Sequence, residues 1–155
     1  MLVLTFRVAE VPYAVAVRQV VEVVPRVALR GLPHAPDYLS GLLHYRGGAV
    51  PVVDLGLLMG EFSCRERLGT RIILVDGGVH GGAGLGYLGM IAEWVEDVLA
   101  VDESTRAVGG LEIGNARYLG AVYETDNGLL QLIEPGKILA GISIAATDDV
   151  GTVPT

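Results

Sequence analysis

The chain has 155 residues, 51% of them hydrophobic and 19% charged, with a formal net charge of −7 and a sequence pI near 4.8. The apolar content excludes a disordered chain, and the acidic balance argues against nucleic acid or an anionic membrane surface as partner. The lone cysteine, Cys64, excludes an intrachain disulfide framework and fits a reducing compartment.

The opening residues, MLVLTFRVAE, lack a basic segment followed by a long apolar core, so no signal peptide is expected. The longest uncharged stretch, 77–92, holds seven glycines and is a poor bilayer span, so no direct membrane insertion is expected. A mean hydropathy of +0.49 implies strands buried on both faces, or apolar surface awaiting a partner.

Strands are expected at Leu2–Val8, Tyr13–Val17 and Val20–Val24, with turns set by Pro12 and Pro25. Glu22 stands out inside the valine run VVEVV, where an acid should face solvent or a partner. Residues 26–38 read as a loop carrying Pro33 and Pro36. The stretch 41–60, GLLHYRGGAVPVVDLGLLMG, organises the chain. A short strand to Tyr45 is broken by Arg46, Gly47 and Gly48, with the two glycines expected to make the turn. A second strand, Ala49–Val53, follows. Pro51 lacks an N–H, which predicts an edge strand or a bulge. Asp54 is placed to cap a helical turn closed by Gly60. Residues 61–70 read as a polar linker.

The pattern then repeats. Arg71–Val75 matches the first strand at an offset of 69, and Val20 and Val23 match Val95 and Val98 at 75. Gly41 maps to Gly120 at 79 and Asp54 to Glu134 at 80, inside a second unit, GAVYETDNGLLQLIEPGKILAG. A glycine-rich loop at 77–86 absorbs the extra residues, 102–116 reads as a polar loop, and Gly141 closes the last helical turn. Each half gives five short strands, which suggests two small barrels. The expected organisation is one domain over 1–141, with lobes at about 1–65 and 70–141 and a flexible tail at 142–155.

The chemistry-bearing residues give no catalytic set. Gly84, Gly86 and Gly89 spell G-x-G-x-x-G, and Met90–Leu99 drawn as a helix would complete a dinucleotide site. The motif starts well past the end of its strand, and the repeat assigns the segment to strands. His34, His44 and His80 lack metal-ligand spacing. Glu93, Glu96 and Asp97 are expected on a solvated edge without converging. Arg65 and Arg67 would lower the pKa of Cys64, but no base accompanies it. A nucleotide-binding enzyme using Gly84–Gly89 and a free-standing peptide-binding barrel remain as alternatives, the second poorly supplied with aromatics at 6%.

The runs YAVAVRQVVEVV, GLLHYRGGAVPVVDL and GLLQLIEPGKIL, with prolines at 33 and 36, resemble the CheW coupling proteins of bacterial chemotaxis over nearly the whole chain. The resemblance implies an all-β fold of two packed five-stranded SH3-like barrels. It implies a non-enzymatic, cofactor-free adaptor joining a chemoreceptor cytoplasmic tip to the regulatory domain of a CheA-type histidine kinase. The setting would be cytoplasmic, at receptor arrays on the inner face of the membrane. Receptor binding in the family maps to Val20, Glu22, Gly41, Arg46 and Gly47, and kinase binding to exposed surface of the first lobe. Departures are His44 for the usual asparagine, Ala92-Glu93 for the common V-D pair, the long glycine loop and the tail. The opening and the HYRG hairpin are also similar to paralogues in Wsp-type surface-sensing arrays.

Overall fold

The computed structural model describes residues 1–78, 86–108, 114 and 116–142. Its strands are β1 (Leu2–Val8), β2 (Val11–Ala16), β3 (Val20–Pro25), β4 (Leu39–Tyr45), β5 (Gly48–Asp54), β6 (Arg71–Asp76), β7 (Tyr87–Ala92), β8 (Val98–Ala100), β9 (Arg106–Val108), β10 (Leu119–Thr125) and β11 (Gly128–Ile133). They form a five-stranded sheet, β3-β6-β7-β5-β4, and a six-stranded sheet, β8-β1-β2-β11-β10-β9. The fold is thus mostly β, with helical turns at α1 (Leu55–Leu58) and α2 (135–142). The extra strand β9 lies where a polar loop was expected.

The division into contiguous lobes 1–65 and 70–141 needs correction, because each sheet draws strands from both halves. Strands β1 and β2 join β8–β11, while β6 and β7 join β3–β5. The exchange is reciprocal and keeps register. Leu4 pairs with Val15 as Ile73 pairs with Met90, and Val23 pairs with Ile73 as Val98 pairs with Leu4. Parallel ladders finish each sheet, Val52 with Gly89 in one and Leu132 with Ala14 in the other. The repeat is therefore real, but each half lends its first two strands to the other.

Alternation along the strands explains the high hydropathy. On β6, Ile72 and Leu74 point into the five-stranded sheet's own core with Val50, Val52 and Cys64. Their neighbours Ile73 and Val75 point the other way, into a shared core with Leu4, Phe6, Val15, Val53 and Met90. Val3, Ala14, Tyr123 and Leu130 fill the interior of the six-stranded sheet. Both faces of the central strands are buried, as their near-continuous apolar runs require. Burying one leucine- or isoleucine-sized side chain contributes about 1.5–3 kcal/mol before cavity terms.

The organising hairpin forms as β4–β5, with Asp54 capping α1 through a hydrogen bond from the Leu57 N–H at 3.2 Å. Asp54 also accepts from the Ser63 hydroxyl at 2.8 Å and from the Cys64 N–H at 3.1 Å. This carboxylate, 1% exposed, pins the start of the inter-half linker as well as the helix. Strand β5 is interior rather than an edge. The β7 ladder begins at Val52, so the missing N–H of Pro51 falls where β5 has only β4 beside it. At the end of the second unit, α2 runs through Gly141 instead of stopping there. Residues 143–155, most of the expected tail, lie outside the described residues.

Candidate partner-binding site

Three of the five expected site residues, Glu22, Arg46 and Gly47, meet where the five-stranded sheet curls shut. Glu22 lies on β3, one outer strand, and Tyr45 ends β4, the other. Opposite Val20 and Glu22 on β3 stand Val75 and Leu74, so Val21 is the extra residue of a bulge. A bulge re-aims the side chains around it.

The hairpin tip differs from expectation. Tyr45 pairs with Gly48, which leaves Arg46 and Gly47 as the two loop residues, with φ of +47° and +80°. Two successive positive φ values match the right-handed twist of a hairpin. Gly48 belongs to the strand. The Arg46 guanidinium is paired. Its Nη2 is 3.6 Å from Glu22 Oε1, and its carbon lies 5.2 Å from the centre of the Tyr45 ring. The Tyr45 hydroxyl donates to the same Glu22 oxygen at 2.8 Å. Tyr87 from β7 meets the Tyr45 ring edge-on, centroids 6.4 Å apart. The Tyr45 phenol is held above its ordinary pKa, chiefly by the hydrogen bond to Glu22 and next by burial, while Arg46 pulls the other way.

Neither Tyr45 nor Tyr87 is legible as a site residue in the sequence, where both read as strand aromatics. The Arg46 side chain remains 76% exposed, so the ion pair leaves most of its donors open. Val21 and Val23, at 36% and 39%, add an exposed apolar band on β3. Val20 is half-buried against the shared core.

Gly41 lies outside the cluster and underlies it. Arg30 and Leu42 exchange backbone hydrogen bonds at 2.9 and 2.8 Å, lashing the 26–38 loop onto β4. With φ of +146°, Gly41 lets the chain pass there, and a Cβ at this position would collide with the Arg30 carbonyl oxygen. It is therefore more than a strand-start glycine.

The other candidates resolve differently. Gly86 to Gly89 runs into strand β7 and Val98–Ala100 is a strand, so the helix needed by a dinucleotide site is absent there; Gly84 and Leu85 lie outside the described residues. His80 also lies outside them, while His34 and His44 are exposed and apart. Glu93 is buried rather than solvated, with Arg67 Nε 3.3 Å away as its counter-charge and the Arg67 guanidinium stacked over Trp94. Cys64 is buried too, and its thiol is pushed up to about 12, first by burial and then by the charge of Asp54. The neighbouring arginines do not activate it.

The family model "CheW-like domain" matches residues 2–143. The chain belongs to the CheW-like family. It is 23% identical over 149 residues to the "Chemotaxis protein CheW" of Klebsiella aerogenes, covering 95% of this chain and 86% of that protein. The Rhizobium meliloti protein of the same name is 25% identical over 100 residues, 64% of this chain. That match spans 61% of the relative's own length, and a match to the Helicobacter pylori protein spans 42%. The crystal structure of the scaffolding protein TtCheW from Thermoanaerobacter tengcongensis superposes with a TM-score of 0.71 at 25% identity, over 85% of this chain and 82% of that one. The CheW-like fold thus agrees with the two-sheet architecture. Among the described residues no helix is long and apolar enough to cross a membrane.

Proposed function

We propose that this CheW-like chain is a non-enzymatic scaffold that couples the cytoplasmic tip of a chemoreceptor to the regulatory domain of a CheA-type histidine kinase. The observation that carries the reading is the cluster of Glu22, Tyr45 and Arg46 on a hairpin tip whose backbone is fixed by Gly47. It presents an exposed guanidinium fork paired to Glu22, and the same strand exposes Val21 and Val23 on its other face. A fixed guanidinium fork suits a helical tip of a partner, on which one polar group sets the register. Val20, Glu22, Gly41, Arg46 and Gly47 are the proposed receptor-facing positions, with Gly41 acting through the backbone. Work at a receptor array on the inner face of the membrane needs no cofactor.

The test is reconstitution from purified parts. The chain, a receptor signalling tip and a kinase regulatory domain should co-elute as a ternary complex, with the chain binding each partner separately. A chain that binds neither partner at micromolar concentration would sink the coupling role.

A further inference from the structure

The exchanged repeat allows the seam of one sheet to be compared with that of the other, position by position. Glu22 lies opposite Leu74, and Asp97 lies in the same way opposite Thr5, whose N–H donates to the Asp97 carbonyl at 2.8 Å. Tyr45 pairs with Gly48, and Thr125 pairs with Gly128. Tyr87 pairs with Asp76, and Pro12 pairs with Arg7. So Asp97 stands where the first seam has Glu22, Thr125 where it has Tyr45, and Pro12 where it has Tyr87.

The first seam is filled by two tyrosine rings. In the second, Thr125 and Pro12 stand in place of the two tyrosines while the acid is kept. A cavity of about 440 Å³ opens there, and Asp97, Thr125, Pro12, Trp94 and Leu129 line it. Its size falls within the usual range of small ligand sites, about 300–1,000 Å³. Its wall is apolar at Leu129, 60% exposed, and Trp94, 39% exposed. Its lining carries Glu96 and Asp97, neither with an ion-pair partner among the described residues, and one cation, Arg7, which pairs with Glu10 at 3.9 Å.

We propose that this groove receives a segment of a partner protein that carries a tyrosine next to an arginine. The phenol donates to Asp97 and the guanidinium lies over the ring beside the two acids of the lining. The chain itself supplies the template, since Tyr45 and Arg46 make this arrangement on Glu22 in the filled seam. An exposed acid beside an aromatic-sized space pairs with a side chain that has an apolar body and a donor at its tip. The proposal rests on the repeat alone and stands whether or not the coupling role holds.

The experiment is a titration of the ¹⁵N-labelled full chain with the dipeptide Ac-Tyr-Arg-NH₂, followed by amide shifts. Saturable shifts at Thr5, Asp97, Thr125 and Asn127, with Glu22 and Tyr45 unmoved, are expected. Thr125→Tyr, which fills the groove from within, should weaken binding about tenfold or more. Asp97→Asn keeps the shape and should also weaken it, so the test survives if Thr125→Tyr does not fold. Ac-Phe-Gln-NH₂ should leave the spectrum unchanged. The proposal is overturned by equal shifts with that control, or by shifts that both substitutions leave intact. It is overturned equally by a concentration-dependent dimer that Thr125→Tyr abolishes, which would make a second copy of the chain the occupant.

Discussion

The Tyr45 hydroxyl reaches Glu22 at 2.8 Å although the two residues lie on the outermost strands of one sheet. That single hydrogen bond spans the seam at which the sheet becomes a barrel. Because it holds the phenol proton, the Tyr45 pKa is raised in the folded state. A raised folded-state pKa means that the contribution to stability is fully present below the unfolded value near 10. It is lost as pH climbs through the folded value. In an absorbance titration referenced to Tyr45→Phe, Glu22→Ala should move this tyrosine back down toward 10. An unshifted titration would show that Glu22 does not hold the proton.

Arg46→Ala should separate coupling from folding. The ion pair it removes is exposed, and such pairs contribute about 0.2–1 kcal/mol. The melting temperature should therefore stay close to that of the parent. If Arg46 is an interface anchor, receptor-tip binding should weaken by about 2 kcal/mol or more, and Arg46→Lys should recover only part, since an ammonium lacks the planar fork. Kinase activation in a reconstituted array reads the outcome, with circular dichroism as folding control. Full activation by Arg46→Ala would remove the hairpin from the proposed receptor interface.

The two site glycines should respond unequally to alanine. At Gly47 a Cβ meets open space and the cost is that of a positive φ, about 1–2 kcal/mol. At Gly41 the Cβ also strikes the Arg30 carbonyl, so either the loop 26–38 lifts or the β4–β5 ladder, whose register shifts between Leu39 and Gly41, rearranges. A loss above about 2 kcal/mol in denaturant unfolding is expected for Gly41→Ala. Equal losses at the two positions would contradict the assigned roles.

Cys64 should resist thiol reagents in the folded protein at pH 8 and react on unfolding. Its Sγ lies 3.4 Å from the Ile91 carbonyl oxygen as a buried donor, and its pKa of about 12 leaves almost no thiolate. The neutral thiol's contribution to stability is present below the free value near 9 and fades only as pH rises toward 12. Rapid native-state labelling would place the thiol outside the core.

Strand positions were legible because valine and isoleucine runs keep a period of two, and Asp54 was legible as a cap because an acid before Leu57 has one obvious donor to meet. The ladder partners were not. Strand β2 is apolar on both faces, so nothing in Tyr13 or Ala14 says that their neighbours are Gln131 and Leu132. Glu93 looked solvated because its counter-charge, Arg67, comes from the linker on the far side of strand β6. Glu22 and Arg46 were visible as isolated charges, but their meeting depends on the barrel closing, which no local pattern records. Tyr45 and Tyr87 were hidden for the same reason, since a strand tyrosine and a seam tyrosine look alike until the seam exists.

The loan of strands between halves dictates the order in which this protein can be made. As the chain leaves the ribosome, β1 and β2 emerge before the other strands, yet β2 waits for β11, and Tyr13 cannot meet Gln131 until more than a hundred further residues have been translated. The five-stranded sheet is complete once β7 is out, while the six-stranded one stays open until the last strand arrives. Until β11 is made, the unfinished chain carries a β1–β2 hairpin with an unpaired apolar edge, a state prone to mispairing with a neighbouring nascent copy. Slow completion, set by such distant pairings, makes the β1–β2 hairpin the point at which holdase chaperones would be needed.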